Sequence, residues 1–172
     1  SLAEALRIDL GINIIGRARK QTHVLGMGYI METLHVRGCQ YHYQQVENAF
    51  TQPNAGVNEQ MIAWACESVE RFGPTTKPDL LELYCGNGNF TVPLAKQFGK
   101  VMATEIAKWS GNSAVFKLAE NDVCNVTIVR LSSEEMTQGL AGVRPYRRLV
   151  DVDLTSFDFD TILVDPPRAG LD

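Results

Sequence analysis

Asp79-Leu80-Leu81-Glu82-Leu83-Tyr84-Cys85-Gly86-Asn87-Gly88-Asn89-Phe90 is the stretch that decides how the rest of the chain is read. A short apolar run (Leu80, Leu81, Leu83, Tyr84) has the texture of a buried strand and stops at two glycines. An apolar, helix-like stretch follows from Phe90 to Phe98. Strand, glycine turn and helix open a nucleotide-binding βαβ unit, because glycine lets the backbone approach a ligand where a Cβ would collide. The apolar run at Val101 and Met102 ends in Glu105, nineteen positions beyond Gly86, where an acidic side chain takes ribose hydroxyls. Thr161-Ile162-Leu163-Val164 reads as another strand and runs into Asp165-Pro166-Pro167-Arg168. Taken alone, Gly86 and Gly88 also fit an ordinary tight turn. With Glu105 and Asp165 at further strand ends, they mark a ligand site.

Upstream the texture differs. Ser1 to Leu10 reads as an amphipathic helix, Ile12 to Ile15 as a strand with a basic exit (Arg17, Arg19, Lys20), and Tyr29 to Val36 and Tyr41 to Val46 as two more strands. Pro53 and Asn54 separate this β-rich segment, residues 1–49, from a helical one. From Val57 to Val69, Met61, Ile62, Ala65 and Val69 recur at helical spacing, and residues 71–78 then break the helix. Beyond Glu105 come a helix over residues 107–121, a strand at Val126–Val129 and a helix at Glu134–Leu140; residues 143–155 show no pattern. From Leu80 onward the order is β-α-β-α-β-α-β. That alternation predicts a parallel, doubly wound sheet over residues 50–172, with ligand outside the strand carboxyl ends.

Composition bounds the partners. The 172 residues fit one domain with a small attachment, and 45% hydrophobic residues suffice for a core. No apolar run approaches the ~20 residues that cross a bilayer. Cys39, Cys66, Cys85 and Cys124 form no CxxC pair, so no zinc or iron–sulfur site is expected, and reduced, mostly buried thiols in the cytoplasm are. His23, His35 and His42 are scattered, with no spacing that suggests a metal. A net charge of −4 argues against a broad basic platform for nucleic acid. The clusters Arg17/Arg19/Lys20 and Arg144/Arg147/Arg148 are solvated faces or local phosphate contacts.

Three ligands compete for the glycine turn. A dinucleotide fingerprint wants Gly or Ala where Thr91 stands, and a triphosphate loop wants a lysine that Gly88-Asn89-Phe90 lacks. S-adenosylmethionine has no phosphate; it needs room beside the glycines and a carboxylate for its ribose, and both are present. Leu81–Phe90, with residues 45–54 upstream (Gln45-Val46-Glu47-Asn48-Ala49-Phe50-Thr51-Gln52-Pro53-Asn54) and Val164-Asp165-Pro166-Pro167-Arg168-Ala169-Gly170-Leu171-Asp172 downstream, resembles the bacterial tRNA (uracil-5-)-methyltransferases. These three motifs stand in the family's order and span most of the chain. The resemblance implies an incomplete Rossmann-like methyltransferase sheet preceded by an RNA-contacting remnant. It also implies S-adenosylmethionine as cofactor, and a T-loop uridine of tRNA as substrate.

Carried over by position, the family's cofactor site falls on Gln52, Tyr84, Asn89, Glu105 and Asp165, with Gly86 and Gly88 shaping the turn. Glu105 would accept from ribose hydroxyls, Asn89 would hold the amino-acid end, and Tyr84 would wall the cofactor. Gln52, donor and acceptor at once, would bridge cofactor and substrate. Asp165 would accept a ring N–H from a flipped uracil. Each has a plainer alternative: Tyr84 as core, Asn89 as a helix N-cap, Gln52 as turn chemistry. Asp165 reads as a strand-end carboxylate whose burial would demand a partner. Arg168 faces either a phosphate or Asp165.

The resemblance implies covalent catalysis: a cysteine thiolate adds to uracil carbon 6, carbon 5 takes the methyl group, and a base then removes the carbon 5 proton. In the family the nucleophilic cysteine and the glutamate base lie beyond the Asp-Pro-Pro-Arg motif. None of the four cysteines here matches that context, and Cys85 reads as packing. The chain is therefore expected to be a piece without methyltransfer activity of its own, with one sheet edge exposed. Two alternatives are a non-catalytic cofactor- or RNA-binding fragment and an amino-directed nucleobase methylase, which places an aromatic residue where Arg168 stands.

Overall fold

The central strand is β5 (Asp79–Leu83). Leu80 and Leu81 are buried on its opposite faces, the pattern of a strand covered on both sides. β6 (Val101–Thr104) pairs parallel with one edge, β7 (Val126–Val129) extends the sheet beyond β6, and β8 (Phe159–Val164) pairs parallel with the other edge of β5. The order is β7-β6-β5-β8. The chain steps outward from β5 to β7 and then returns to the far side of β5. The reversal therefore lies at the carboxyl ends of β5 and β8, where open α/β sheets bind ligands. This computed structural model describes residues 1–172 except Asn48, Pro74, Thr75, Ala169 and Asp172, and only the backbone of Lys108, Trp109 and Ser110. The parts of the upstream and downstream motifs and of the 71–78 loop that fall on those five residues lie outside the described residues.

Helices join and cover the strands. α2 (Ala55–Phe72) starts at Asn54, whose side chain accepts from the Val57 N–H at 3.0 Å. α4 (Lys108–Glu120) connects β6 to β7, and α5 (Ser133–Leu140) begins with a reciprocal capping box between Ser132 and Glu135. Between β5 and β6 the expected single helix is instead one turn, α3 (Thr91–Leu94), followed by a 3-10 turn over Ala95–Gln97. Pro93 lies inside that turn, where its missing N–H is tolerated but adds no bond to lengthen the helix.

Before the sheet come α1 (Leu2–Leu10), the hairpin β1 (Ile14–Ala18) and β2 (Gln21–Leu25), and the hairpin β3 (Tyr29–Val36) and β4 (Cys39–Val46). The basic exit expected after Ile15 is thus inside a strand: Arg17 pairs with Thr22 across the ladder. The β3–β4 turn has φ 52° at Arg37 and 80° at Gly38, as a two-residue hairpin of right-handed twist needs. Its inner face (Leu34, Val36, Tyr41, Tyr43) shares one core with Ile62 of α2, Leu80, Val92, Val101 and Leu118. A second core on the other face of the sheet gathers Leu81, Met102, Val129, Leu131, Met136 and Leu149. Leu149 reaches it from the patternless segment, which forms 3-10 turns at Arg147–Leu149 and Leu154–Ser156.

The thiols differ from expectation. Cys66 and Cys85 are buried, but Cys39 and Cys124 are exposed, and all four are free. None of the described helices is long and apolar enough to cross a membrane.

Candidate active site

The ends of all four parallel strands open onto one cavity of about 720 Å³. After β5 it is lined by Tyr84, Cys85, Gly86, Asn87, Asn89 and Phe90; after β6 by Glu105 and Ile106. Leu131, Ser132 and Ser133 follow β7, and Asp165 to Arg168 follow β8. Gln45 and residues 50–52 close the side nearest the hairpin.

The glycine turn is built by backbone that few side chains tolerate. Tyr84 leaves β5 with φ 61°, a left-handed conformation uncommon for an aromatic residue, and Gly86 and Gly88 follow at 57° and 83°. A Cβ on Gly86 would meet no atom within 4 Å, so what it would occupy is the open cavity. A Cβ on Gly88 would stand 3.4 Å from that of Ala114, so this glycine lets α4 approach. Gly88 does not line the cavity. Of the sequence-derived positions it alone supports the turn from behind.

Glu105 is fixed before any ligand arrives. Its Oε2 accepts the Gly86 N–H at 3.0 Å and its Oε1 accepts the Ala107 N–H at 2.7 Å. Each oxygen keeps lone-pair capacity, so the carboxylate is aimed yet still able to accept two hydroxyls. Tyr84 is half-buried, and its hydroxyl lies 2.6 Å from that of Ser133 at the start of α5. The ring is therefore a cavity wall and not core. Gln52 is half-buried on the cavity side, and its side chain has no hydrogen bond among the described residues, contrary to a turn-building role.

Asn89 is not the cap of the following helix. That position belongs to Phe90, which supplies no side-chain bond, and the Asn89 amide instead forms a reciprocal pair with Asn58 of α2, both bonds 2.8 Å. Asp165 is likewise not the buried carboxylate expected: it is exposed at the rim, because β8 is an edge strand. Arg168 is exposed beside it, and no ion pair joins the two among the described residues. Cys85 is buried in the turn, and burial pushes its thiol well above the ordinary range. A thiol held neutral is a poor nucleophile, even where, as here, it also lines the cavity.

Several contributors do not stand out in the sequence. Asn87 donates to Gln45 Oε1 and to the Phe50 carbonyl, both at 3.3 Å, and so ties the segment before α2 to the glycine turn. Gln45 in turn donates to Glu32 at 2.6 Å. Ser132 and Ser133 carried a readable signal, since Ser132 and Glu135 stand at capping-box spacing. Asn58 carried none.

The family model described as tRNA (Uracil-5-)-methyltransferase matches residues 1–172. The chain is 53% identical over 174 residues to a tRNA/tmRNA (uracil-C(5))-methyltransferase of Colwellia psychrerythraea, covering 99% of the chain and 47% of that relative. It is 54% identical over 170 residues to its namesake in Pseudomonas aeruginosa, covering 99% of the chain and 46% of that relative. The chain thus spans about half the length of the curated relatives it matches. Among solved structures, the tRNA (uracil-54, C5)-methyltransferase of Pyrococcus abyssi in complex with S-adenosyl-L-homocysteine superposes with a TM-score of 0.59 at 23% identity, covering 87% of this chain and 31% of that one. A 16S rRNA N2 G1207 methyltransferase of T. thermophilus, in complex with AdoMet and guanosine, superposes with a TM-score of 0.59 at 20% identity, covering 96% and 43%. Likenesses at these identities show a shared fold.

Proposed function

This chain belongs to the tRNA (uracil-5-)-methyltransferase family, and on that footing we propose that its cavity binds S-adenosylmethionine and that the whole protein methylates carbon 5 of a tRNA uridine, in the T-loop. One observation carries the reading: Gly86, Glu105 and Asp165, from three separate strand ends, line a single cavity. The donor set fits the cofactor. Glu105 offers an anchored carboxylate to a ribose, Gly86 leaves open space beside it, and Asn89 offers an amide to the amino-acid end. The bound cofactor supplies an electrophilic methyl group on a sulfonium.

This chain's own residues bind and orient. Tyr84 and Leu131 form apolar wall, and Gln52, in the segment before α2, lines the cavity beside them. Asp165 and Arg168 line the cavity at its exposed rim, and in this reading the carboxylate accepts a ring N–H of the nucleotide and the guanidinium takes a phosphate. Residues 1–49 contact RNA, and the protein works in the cytoplasm, where its substrate is. By family resemblance the nucleophilic cysteine and the general base come from positions outside residues 1–172.

Calorimetric titration of S-adenosylhomocysteine into this chain and into Glu105→Ala tests the cofactor reading. A charge-assisted bond to a hydroxyl is worth about 1.5–3 kcal/mol, so the variant should bind on the order of ten- to a hundredfold more weakly. Equal heats from both proteins would remove Glu105 from the site.

A further inference from the structure

We propose that Asn58, near the start of α2, is the positioning residue for Asn89, and that their amide pair sets the cavity to take the zwitterionic end of an amino-acid ligand. The inference rests on the S-adenosylmethionine reading and deepens it. Asn58 is 2% exposed and does not line the cavity; Asn89 does. Asn58 Nδ2 donates to Asn89 Oδ1 at 2.8 Å, and Asn89 Nδ2 donates back to Asn58 Oδ1 at 2.8 Å.

A primary amide has two N–H groups and two carbonyl lone pairs. A reciprocal pair uses the edge on which one N–H and one lone pair lie side by side. Asn89 is left with one N–H and one carbonyl lone pair, which point away from each other on opposite flanks of the amide, so the pair with Asn58 decides which of them is turned to the cavity. Either suits one pole of an α-amino acid, the N–H its carboxylate or the carbonyl oxygen its ammonium. Without Asn58, the Asn89 amide is free to rotate by half a turn and exchange donor for acceptor. The main chain is held as well, since the Tyr43 hydroxyl donates to the Asn89 carbonyl at 2.9 Å. Orientation is thus set before the ligand arrives, which removes an ordering cost from binding. The pair also fastens the glycine turn to the helix that begins two residues after Gln52 and Pro53.

The test compares two ligands and four proteins. S-adenosylhomocysteine carries the amino-acid end and adenosine does not; each is titrated calorimetrically into the wild-type chain, Asn58→Ala, Asn89→Ala and the double variant. Asn58→Ala should weaken S-adenosylhomocysteine about tenfold and leave adenosine unchanged. The double variant should lose no more than Asn89→Ala alone, because Asn58 acts through Asn89. Asn58→Leu, which keeps nearly the same volume but can neither donate nor accept, should reproduce the selectivity and stands in if the alanine variant fails to fold. Equal loss for both ligands, additive losses in the double variant, or unchanged S-adenosylhomocysteine affinity would each overturn the inference alone. A wild-type chain that binds neither ligand would overturn the cofactor reading, and this one with it.

Discussion

Glu82 and Lys117 are ionisable side chains enclosed by the fold, and the two pull stability in opposite directions as pH changes. Glu82 is 2% exposed on β5 and its Oε2 has no hydrogen-bond partner among the described residues. Burial pushes its carboxyl from 4.5 up to about 8; the Asp165 charge adds to this, and the nearby Thr91 hydroxyl opposes it without a bond of normal geometry. The folded chain therefore holds a proton that the unfolded chain releases, and stability falls as pH rises from 4.5 to about 8. Lys117 lies with its Nζ 5.0 Å over the Tyr43 ring and no hydrogen-bond partner among the described residues. Burial lowers it from 10.5 to about 7, with Glu32 opposing, so the folded chain binds fewer protons than the unfolded one and stability rises with pH across that window. Together they place a trough of stability near pH 7–8. Urea unfolding from pH 5 to 10 should show it. Glu82→Gln should flatten the acidic limb and Lys117→Met the basic one, each adding on the order of 1–3 kcal/mol inside the trough. A profile unchanged by either substitution would mean that neither group is held away from its ordinary range.

At the level of the element, termini decide more than interiors. α2 leads from Gln52 into the core, and its first turn is closed by the Asn54 side chain. Asn54→Ala should cost about 1 kcal/mol in thermal or urea unfolding while leaving the strands intact; no measurable loss would show that water replaces the cap. Much of this architecture is readable from residue order alone. The β5 strand, its glycine turn, Glu105 and the Asp-Pro-Pro-Arg strand end all follow local chemistry, and local chemistry survives folding. The features that escape a sequence are of another kind. β2 has no buried residue to give it an apolar rhythm, and its pairing with β1 is a ladder of mostly exposed residues. α3 is shorter than its apolar run suggests, because such a run does not record where helical bonding tightens into the 3-10 turn at Ala95–Gln97. Asp165 departs from a buried strand end because a parallel strand usually has neighbours on both edges, whereas among the described residues β8 pairs with β5 alone. Asn58 meets Asn89 across 31 residues, and no spacing rule connects positions that only a tertiary fold brings together.

At the scale of the molecule, no strand among the described residues pairs with the outer edge of β8, where Ile162 is 60% exposed with Val164 beside it, and Trp64 on α2 is 70% exposed nearby. An open edge flanked by apolar side chains favours association. Sedimentation of this chain should show mass rising with concentration, and Ile162→Lys should suppress the rise; a monomer at every concentration would mean that the edge is blunted as it stands. The other boundary is more consequential. Composition divides the chain near Phe50, yet the first buried apolar side chain among the described residues is Leu34, and it lies with Tyr41 and Tyr43 against Ile62 and Leu80. A protease nibbling from the front should therefore halt near Tyr29, leaving a product that still melts cooperatively. A shortened gene beginning at Phe50 should yield a sticky, half-molten polypeptide, stripped of the slab on which its strand-end cavity leans.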